Sequence, residues 1–271
     1  MQLPEPVVRA LRCSVCGEPL TGQGRALRCV RGHSFDLAKQ GYVNLLHAKI
    51  PAGTADTAEM VAARAEFLGA GHYQPLADAV AAQTARFCPE LVVDAGAGTG
   101  YYLAKALTPG AHGLALDVSA VALRRAAKAH PAIGAAVWNL WEPWPVADQA
   151  ADVVLNVFAP RNPAEFRRVL RPGGALVVVS PNPGHLGELG SAVLGIGEDK
   201  EQRLDSSLTR FALDHREEIG YRLRLTPDEV RHVVGMGPAA HHLHRDGRAE
   251  RLAEITEPVD VTASFTLSVF R

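Results

Sequence analysis

Leu91-Val92-Val93-Asp94-Ala95-Gly96-Ala97-Gly98-Thr99-Gly100 is the stretch that decides the fold. Three apolar residues end in an acid, a run of alternating glycines follows, and Tyr101 to about Leu107 then reads as a helix. Strand, glycine-rich turn and helix in that order open a nucleotide-binding α/β unit. Glycine lets the backbone approach a ligand closely, and the start of the helix offers free N–H groups. Taken alone, the G-x-G-x-G pattern suits a dinucleotide equally well.

The residues downstream narrow the choice. Leu114-Ala115-Leu116-Asp117 is a second strand ending in an acid, seventeen residues beyond Gly100. An acid at that strand end can take both ribose hydroxyls, in an NAD site or an S-adenosylmethionine site alike. A helix is expected from Ala120 to His130, a third strand over Gly134–Trp138 followed by Asn139, and a fourth over Asp152–Asn156. Leu170-Arg171-Pro172-Gly173-Gly174 then leads into a fifth strand, Ala175–Ser180. Tyr221–Leu225 and Val261–Phe270 alternate and are rich in β-branched or aromatic residues, so they read as the last two strands. Between them a helix should start near Thr226-Pro227-Asp228-Glu229, a good N-cap sequence. An L-[RK]-P-G-G turn before a β-rich run is characteristic of class I methyltransferases, and the chain resembles that superfamily over roughly its last two hundred residues. Together with the glycine turn and Asp117, this disfavours a dehydrogenase. The expected fold is α/β: a Rossmann-like, mixed seven-stranded sheet with a small N-terminal zinc-binding module. The expected divisions are 1–50 for the zinc module, 51–90 for a helical connector contributing to the cofactor site, and 91–271 for the methyltransferase domain.

Upstream, Cys13 and Cys16 form C-x2-C, and Cys29 with His33 forms C-x3-H after a twelve-residue gap. Two such pairs, brought together by a hairpin, make a tetrahedron of sulfur and nitrogen that suits zinc. Gly17, Gly22, Gly24 and Gly32 fall where turns are needed. The alternative, three buried cysteines and an exposed histidine, does not account for the spacing. Four protein ligands leave no open position, so one structural zinc per chain is expected, folding a segment too short to bury its own core. Cys88, alone before the glycine-turn strand, reads as a small core residue.

Composition sets the outer bounds. Of 271 residues, 47% are hydrophobic, enough for a real core, and no apolar run approaches the ~20 residues that span a bilayer. Met1-Gln2-Leu3-Pro4-Glu5-Pro6 lacks a basic start and an apolar core, so a cytoplasmic protein without membrane partners is expected. The net charge of −1 hides an asymmetry: residues 1–50 hold seven Lys/Arg against three acids, leaving 21 bases against 26 acids in the rest. That is a weak hint of a polyanionic partner, trimmed by one charge if three thiolates bind zinc.

Four further stretches make the pattern specific. These are Cys13-x2-Cys16 with Cys29-x3-His33; His33-Ser34-Phe35-Asp36-Leu37-Ala38-Lys39-Gln40-Gly41-Tyr42-Val43-Asn44-Leu45-Leu46; Asp56-Thr57-Ala58-Glu59-Met60; and Phe67-Leu68-Gly69-Ala70-Gly71-His72-Tyr73. With Gly100-Tyr101-Tyr102 and Gly184-His185-Leu186, the chain resembles the 23S ribosomal RNA guanine-N1 methyltransferases nearly end to end. Gly235-Met236-Gly237-Pro238 and Ala240-His241-His242 are similar to the actinobacterial branch linked to resistance against tylosin-like macrolides. The resemblance implies methylation of guanine N1 in hairpin 35 of domain II, 23S ribosomal RNA as substrate and a homodimer. It implies S-adenosylmethionine contacts from Tyr73, Gly98, Thr99 and His185, and zinc held by Cys13, Cys16, Cys29 and His33. Adding the turn and strand-end positions gives the candidate cofactor set: Tyr73, Asp94, Gly96, Gly98, Thr99, Gly100, Asp117, Asn139, Leu140, Asn156 and His185.

Some positions depart from the pattern or stay open. Thr99 replaces an acid of some relatives, and Asn139 stands where many methyltransferases have an acid for the adenine amine; asparagine still accepts, without charge assistance. Trp138, Trp141 and Trp144 read as core packing and an adenine wall rather than as a base-stacking surface. Asn156-Val157-Phe158-Ala159-Pro160 occupies the place of the amino-methylase motif without matching it, which argues against exocyclic-amine chemistry. Asn156 and Phe158 can still position a base. His185 is a cofactor contact, a proton acceptor or a strand-end residue, His241 and His242 read as a polar helix end, and no general base is identified. A small-molecule methyltransferase that kept the zinc module, or a silent RNA-binding protein, are the rival readings; the intact cofactor turn and Asp117 speak against the second.

Overall fold

The computed structural model describes residues 2–47, 55–190, 208, 211–237, 240–241 and 247–271. At its centre β5 (Leu91–Ala95) lies between β6 (His112–Asp117) and β8 (Ala151–Val157), all three parallel. Beyond β6 comes β7 (Ile133–Val137); beyond β8 come β9 (Leu170–Pro181), β11 (Val259–Phe270) and β10 (Leu213–Leu225). β11 runs antiparallel to both β9 and β10. The strands near the middle are buried on both faces and read as unbroken apolar runs, whereas edge strand β10 alternates between exposed and half-buried residues. The seven predicted strands are therefore present, several of them longer than their apolar cores.

An eighth strand joins them. β4 (Tyr42–Asn44) leaves the end of the cysteine-bearing segment and pairs in parallel with β7, Tyr42 opposite Ala135. The segment itself holds a three-stranded sheet of β1 (Leu20–Gln23), β2 (Ala26–Cys29) and β3 (Ser34–Asp36).

One face of the large sheet is covered by α2 (Ala58–Gly69), α3 (Gln74–Ala85), α4 (Tyr101–Ala106), α5 (Ala120–Ala129) and α7 (Pro227–Gly235). Local chemistry explains where several of them start. Thr57 and Ser119 accept from the backbone N–H groups of Met60 and Ala122, and Thr226 forms a full capping box with Glu229, as the sequence predicts. The remaining helix of the described residues near the C-terminus, α8, spans Arg248–Ala253.

The opposite face is covered differently. The connection from β7 to β8, residues 138–150, contains no helix. Its place is taken by α1 (Glu5–Ala10), α6 (Pro163–Val169) and the cysteine-bearing segment, whose Leu11, Leu20 and Leu27 share one apolar core with Leu114, Leu116 and Trp138. Backbone hydrogen bonds seal the joint: Arg12 N donates to Pro145 O at 2.9 Å and Ala147 N to Ala10 O at 2.8 Å. Val7, fully buried, sits over Gly134, where a Cβ would lie 2.7 Å from its Cγ1.

The Leu170–Gly174 turn also has a physical reason. Asp152 accepts from the N–H groups of Glu90 and Leu91 at 2.7 and 2.8 Å and pairs with Arg171. Gly173 has φ +81°, and a Cβ on Gly174 would lie 2.8 Å from the Asp152 carbonyl. One expectation is corrected: Cys88 is exposed, not a core residue. It lies in the turn closing α3, with φ +43° and its N–H bonded to Ala85 O, which carries its side chain outward.

If Val7 docks the N-terminal segment on Gly134, Gly134→Ala should destabilise the protein by about 1–3 kcal/mol through overpacking. Val7→Ala in the same chain should recover part of that loss. Denaturant titration of the two single variants and the double variant measures the coupling; strict additivity would mean the contact is not formed.

Candidate cofactor site and metal centre

From β5 the chain turns through Gly96, Gly98 and Gly100, with φ of +93°, +52° and +77°. Two of these glycines are required by the protein's own packing. A Cβ on Gly96 would lie 2.3 Å from Ala159 Cβ, and one on Gly100 would lie 2.9 Å from Ala126 Cα of α5. The turn is tied to the end of β6 by Asp117, whose carboxylate accepts from Gly98 N–H and Ser119 N–H, both at 2.8 Å. Burial raises Asp117 above the usual carboxylate range, while these N–H groups pull it back. Asp94 is buried beside it with Oδ1 lacking any partner; burial, then the charge of Asp117, pushes it up to about 8. Buried Thr99 completes the turn. Leu140 approaches Gly96, its Cδ1 3.6 Å from that glycine's Cβ position. Asn139, also buried, accepts from Trp141 N at 3.1 Å.

Asn156 occupies a different kind of position. Its Nδ2 donates to Ala95 O at 3.3 Å and to Pro160 O at 2.9 Å, strapping the end of β5 to the loop after β8. Trp138 and Trp144 are core residues, with Trp144 edge-on to Phe166 at 5.6 Å, whereas Trp141 is 64% exposed. His241 is exposed; Pro238 and His242 fall outside the described residues.

Tyr73 and His185 form a hydrogen-bonded pair. Tyr73 Oη lies 3.0 Å from His185 Nε2, and Ser264 N–H donates to His185 Nδ1 at 3.2 Å. Nδ1 is therefore an acceptor, so the neutral ring carries its hydrogen on Nε2 and donates it to Tyr73 Oη. The tyrosine O–H stays available to donate elsewhere. Burial holds His185 down at about 4, so the ring is neutral near pH 7 and has no free nitrogen to accept a proton. Phe265 packs against both, at 5.0 Å from Tyr73 and 4.5 Å from His185. Phe158 closes the cluster, 5.5 Å from Phe265 and 6.3 Å from Tyr102, itself 43% exposed and with φ +54°.

Sequence reasoning missed Arg64 and Asp56. The Arg64 guanidinium pairs with Asp56, donates to Met236 O at 2.8 Å, and lies 3.2 Å from the Cβ position of Gly98. Ser119 Oγ donates to the Asp56 carbonyl at 3.1 Å. The usable signal was an arginine in the Ala62-Ala63-Arg64-Ala65 run of an otherwise small and apolar helix stretch. A buried acid with an orphaned oxygen, Asp94, a half-buried acid, Asp117, and one arginine beside the turn fit a ligand with a ribose diol, a cationic end and a carboxylate. S-adenosylmethionine has all three.

The four zinc candidates come together as their spacing predicts. Their ligand atoms all lie within 4.8 Å of one another. Cys29 Sγ and Cys13 Sγ are 3.4 and 3.5 Å from His33 Nδ1, and Cys16 Sγ is 3.7 Å from Cys29 Sγ. A tetrahedron with Zn–S bonds of about 2.3 Å has edges of about 3.8 Å, so the cage fits zinc. Burial pushes Cys13 up to about 11; at Cys29 burial acts in the same direction, but backbone N–H groups of His33 and Arg31 prevail and draw it down to about 6. The protein should contain one zinc per chain, and Cys16→Ser should lose it and loosen the N-terminal segment. Elemental analysis combined with hydrogen exchange tests this; a metal-free, fully protected segment would overturn it.

Comparison with known proteins identifies both parts of the chain. Residues 11–50 match the zinc-ribbon family described as RlmA, N-terminal, and residues 92–174 match the family described as methyltransferase domain. A protein of Micromonospora griseorubida, described as a candidate 23S rRNA (guanine-N1)-methyltransferase, is 50% identical, with 96% of this chain and 97% of that one aligned. The 23S rRNA (guanine(748)-N(1))-methyltransferase of Streptomyces fradiae is 47% identical over 98% of both chains. A Bacillus subtilis protein described like the first is 30% identical over 92% of this chain and 95% of its own. The chain belongs to the family of 23S rRNA guanine-N1 methyltransferases, S-adenosylmethionine-dependent enzymes with an N-terminal zinc ribbon.

Proposed function

We propose that the protein transfers a methyl group from S-adenosylmethionine to N1 of a guanine in a hairpin of 23S ribosomal RNA. The observation that carries this is the near end-to-end identity of 47% with the Streptomyces fradiae enzyme, across both the zinc ribbon and the cofactor turn. The cofactor, when bound, supplies a methyl on a cationic sulfur that leaves with the C–S electron pair as the N–C bond forms. The chain's residues divide the remaining work. Asp117 takes the ribose hydroxyls, Asp94 faces the cationic end, Arg64 held by Asp56 and Met236 O takes the carboxylate, and Asn139 with Leu140 borders the adenine.

Guanine N1 must lose a proton as it is methylated. The tautomer of His185 makes Tyr73 a donor, not a base, so its O–H is read as stabilising negative charge on the guanine while the proton leaves to solvent. Aligning the reactants and excluding water then supplies most of the rate.

The organisation follows the same division: 1–50 as metal module, 51–90 as the connector carrying Asp56, Arg64 and Tyr73, and 91–271 as the catalytic sheet. The family resemblance carries the readings of a homodimer and of a role in macrolide resistance. The relatives' ribosomal RNA substrate carries the reading of a cytoplasmic enzyme; no helix of the described residues is long and apolar enough to cross a membrane.

Two measurements test the scheme. In calorimetric titrations Asp117→Ala should weaken S-adenosylhomocysteine and 5′-methylthioadenosine alike by about 1.5–3 kcal/mol, because both carry the ribose. Arg64→Gln should weaken only the former, by roughly ten- to a hundredfold, since the latter has no carboxylate. Equal losses for both ligands in Arg64→Gln would remove that assignment. Primer extension on RNA from cells expressing the enzyme should show a new stop one nucleotide 3′ of the target guanine, absent with Asp117→Ala. No stop anywhere in the large-subunit RNA, with turnover on a small aromatic acceptor, would make this a biosynthetic enzyme.

A further inference from the structure

The arginines of this surface are mostly paired. Arg31 meets Glu18, Arg86 meets Asp214, Arg168 meets Asp148 and Glu165, and Arg222, Arg224 and Arg231 each hold a carboxylate within 4.0 Å. One groove concentrates cations that lack such partners. An open groove of about 850 Å³ runs between α2, α4 and α5 and is lined by Lys105, Arg124, Arg125 and Lys128. All four are exposed, and none has a carboxylate partner among the described residues. α5 itself, Ala120–Ala129, contains three bases and no acid.

Helix electrostatics account for part of this. Lys105 and Lys128 lie in the last turns of α4 and α5, where a cation complements the helix dipole. Arg124 and Arg125 sit in mid-helix and have no such role. Nor does bulk composition explain the cluster, because the chain carries a net charge of −1. Four unneutralised cations in one groove repel one another unless an anion comes between them.

The position of the groove identifies the anion. Thr99 of the cofactor turn stands in its wall, and Gln40, from the loop that leads out of the zinc segment into β4, stands at its edge. The groove therefore adjoins both the turn where the methyl donor binds and the zinc module. Arg124 and Lys128 are one helical turn apart on the same face, so they follow a line rather than enclosing a point. We propose that this groove is a phosphate track: Lys105, Arg124, Arg125 and Lys128 grip the backbone of the substrate RNA as it leads to the cofactor turn. The proposal rests on the RNA reading above and adds a surface distinct from the exposed arginines of the zinc module.

Salt dependence separates the two claims. The probe is a transcript of domain II of 23S ribosomal RNA, titrated with purified full-length protein at several potassium chloride concentrations. The wild-type affinity should fall steeply with salt. The quadruple variant Lys105→Gln/Arg124→Gln/Arg125→Gln/Lys128→Gln should flatten the log–log slope by about 3, at about 0.7–0.9 for each lost phosphate contact. The charge-conserving set Lys105→Arg/Arg124→Lys/Arg125→Lys/Lys128→Arg should keep the wild-type slope. Unchanged S-adenosylhomocysteine binding in both sets certifies the fold and the cofactor site; if the glutamine set fails to fold, Arg124→Gln/Arg125→Gln should lower the slope by about half as much. A wild-type slope in a folded glutamine variant overturns the phosphate track and leaves the RNA reading intact. Salt-insensitive or absent binding of the transcript by the wild type overturns the RNA reading itself.

Discussion

The carboxylate of Asp117 holds two strands' worth of structure in place. Its oxygens receive the N–H of Gly98 from the turn after β5 and the N–H of Ser119 at the start of α5. Hydrogen bonds to a charged acceptor contribute roughly 1.5–3 kcal/mol each, which offsets part of the cost of burying the charge. The offset is incomplete, because Asp117 remains raised, and Asp94 next to it is raised as well, with one oxygen unpartnered. Without cofactor the site is thus under-compensated, and what it lacks is positive charge and hydroxyl donors. Arg64 responds to the same field from the other side of the turn, lowering Asp117 while Asp56 raises it.

A second dependence runs through the zinc segment. A doubly wound sheet needs cover on both faces, and here the connection between β7 and β8 supplies no helix. The N-terminal segment supplies the cover instead, with Val7 pressed on Gly134 and β4 extending the sheet beside β7. A stretch of this size cannot fold on its own apolar burial, so four ligands around one ion contribute what its core does not. The segment it would fold packs against β7 and bonds to the tryptophan-rich connection, so the metal site supports the cover of that face.

The parts legible in the sequence were those governed by local spacing. Glycine positions, strand-ending acids, the Thr226–Glu229 cap and the two cysteine pairs each lie within a few residues, and the backbone allows few ways to satisfy them. The purpose of the glycines was less legible. Spacing alone points to ligand approach, but Gly96 and Gly100 are required by Ala159 and Ala126, which lie 63 and 26 residues away in the chain. Arg64 stood out only as an arginine among small residues; its meaning comes from Asp56, Gly98 and Met236, three points that only the folded chain brings together. Cys88 was misread because a strand start looks like core from the sequence, while the turn geometry after α3 faces it outward.

The loop after β8 ties the glycine turn to the aromatic cluster around Tyr73. Asn156 straps it to Ala95, and Ala159 fills the space above Gly96. Held at both points, the chain between has little freedom, and Phe158 takes a left-handed φ of +54° that costs an aromatic residue of order 1–2 kcal/mol. The strain is offset by contact: the ring meets Tyr73, Tyr102 and Phe265 within 6.5 Å while nearly half of it stays exposed. A base resting on that exposed ring would lie on the same loop that packs against Gly96 of the glycine turn.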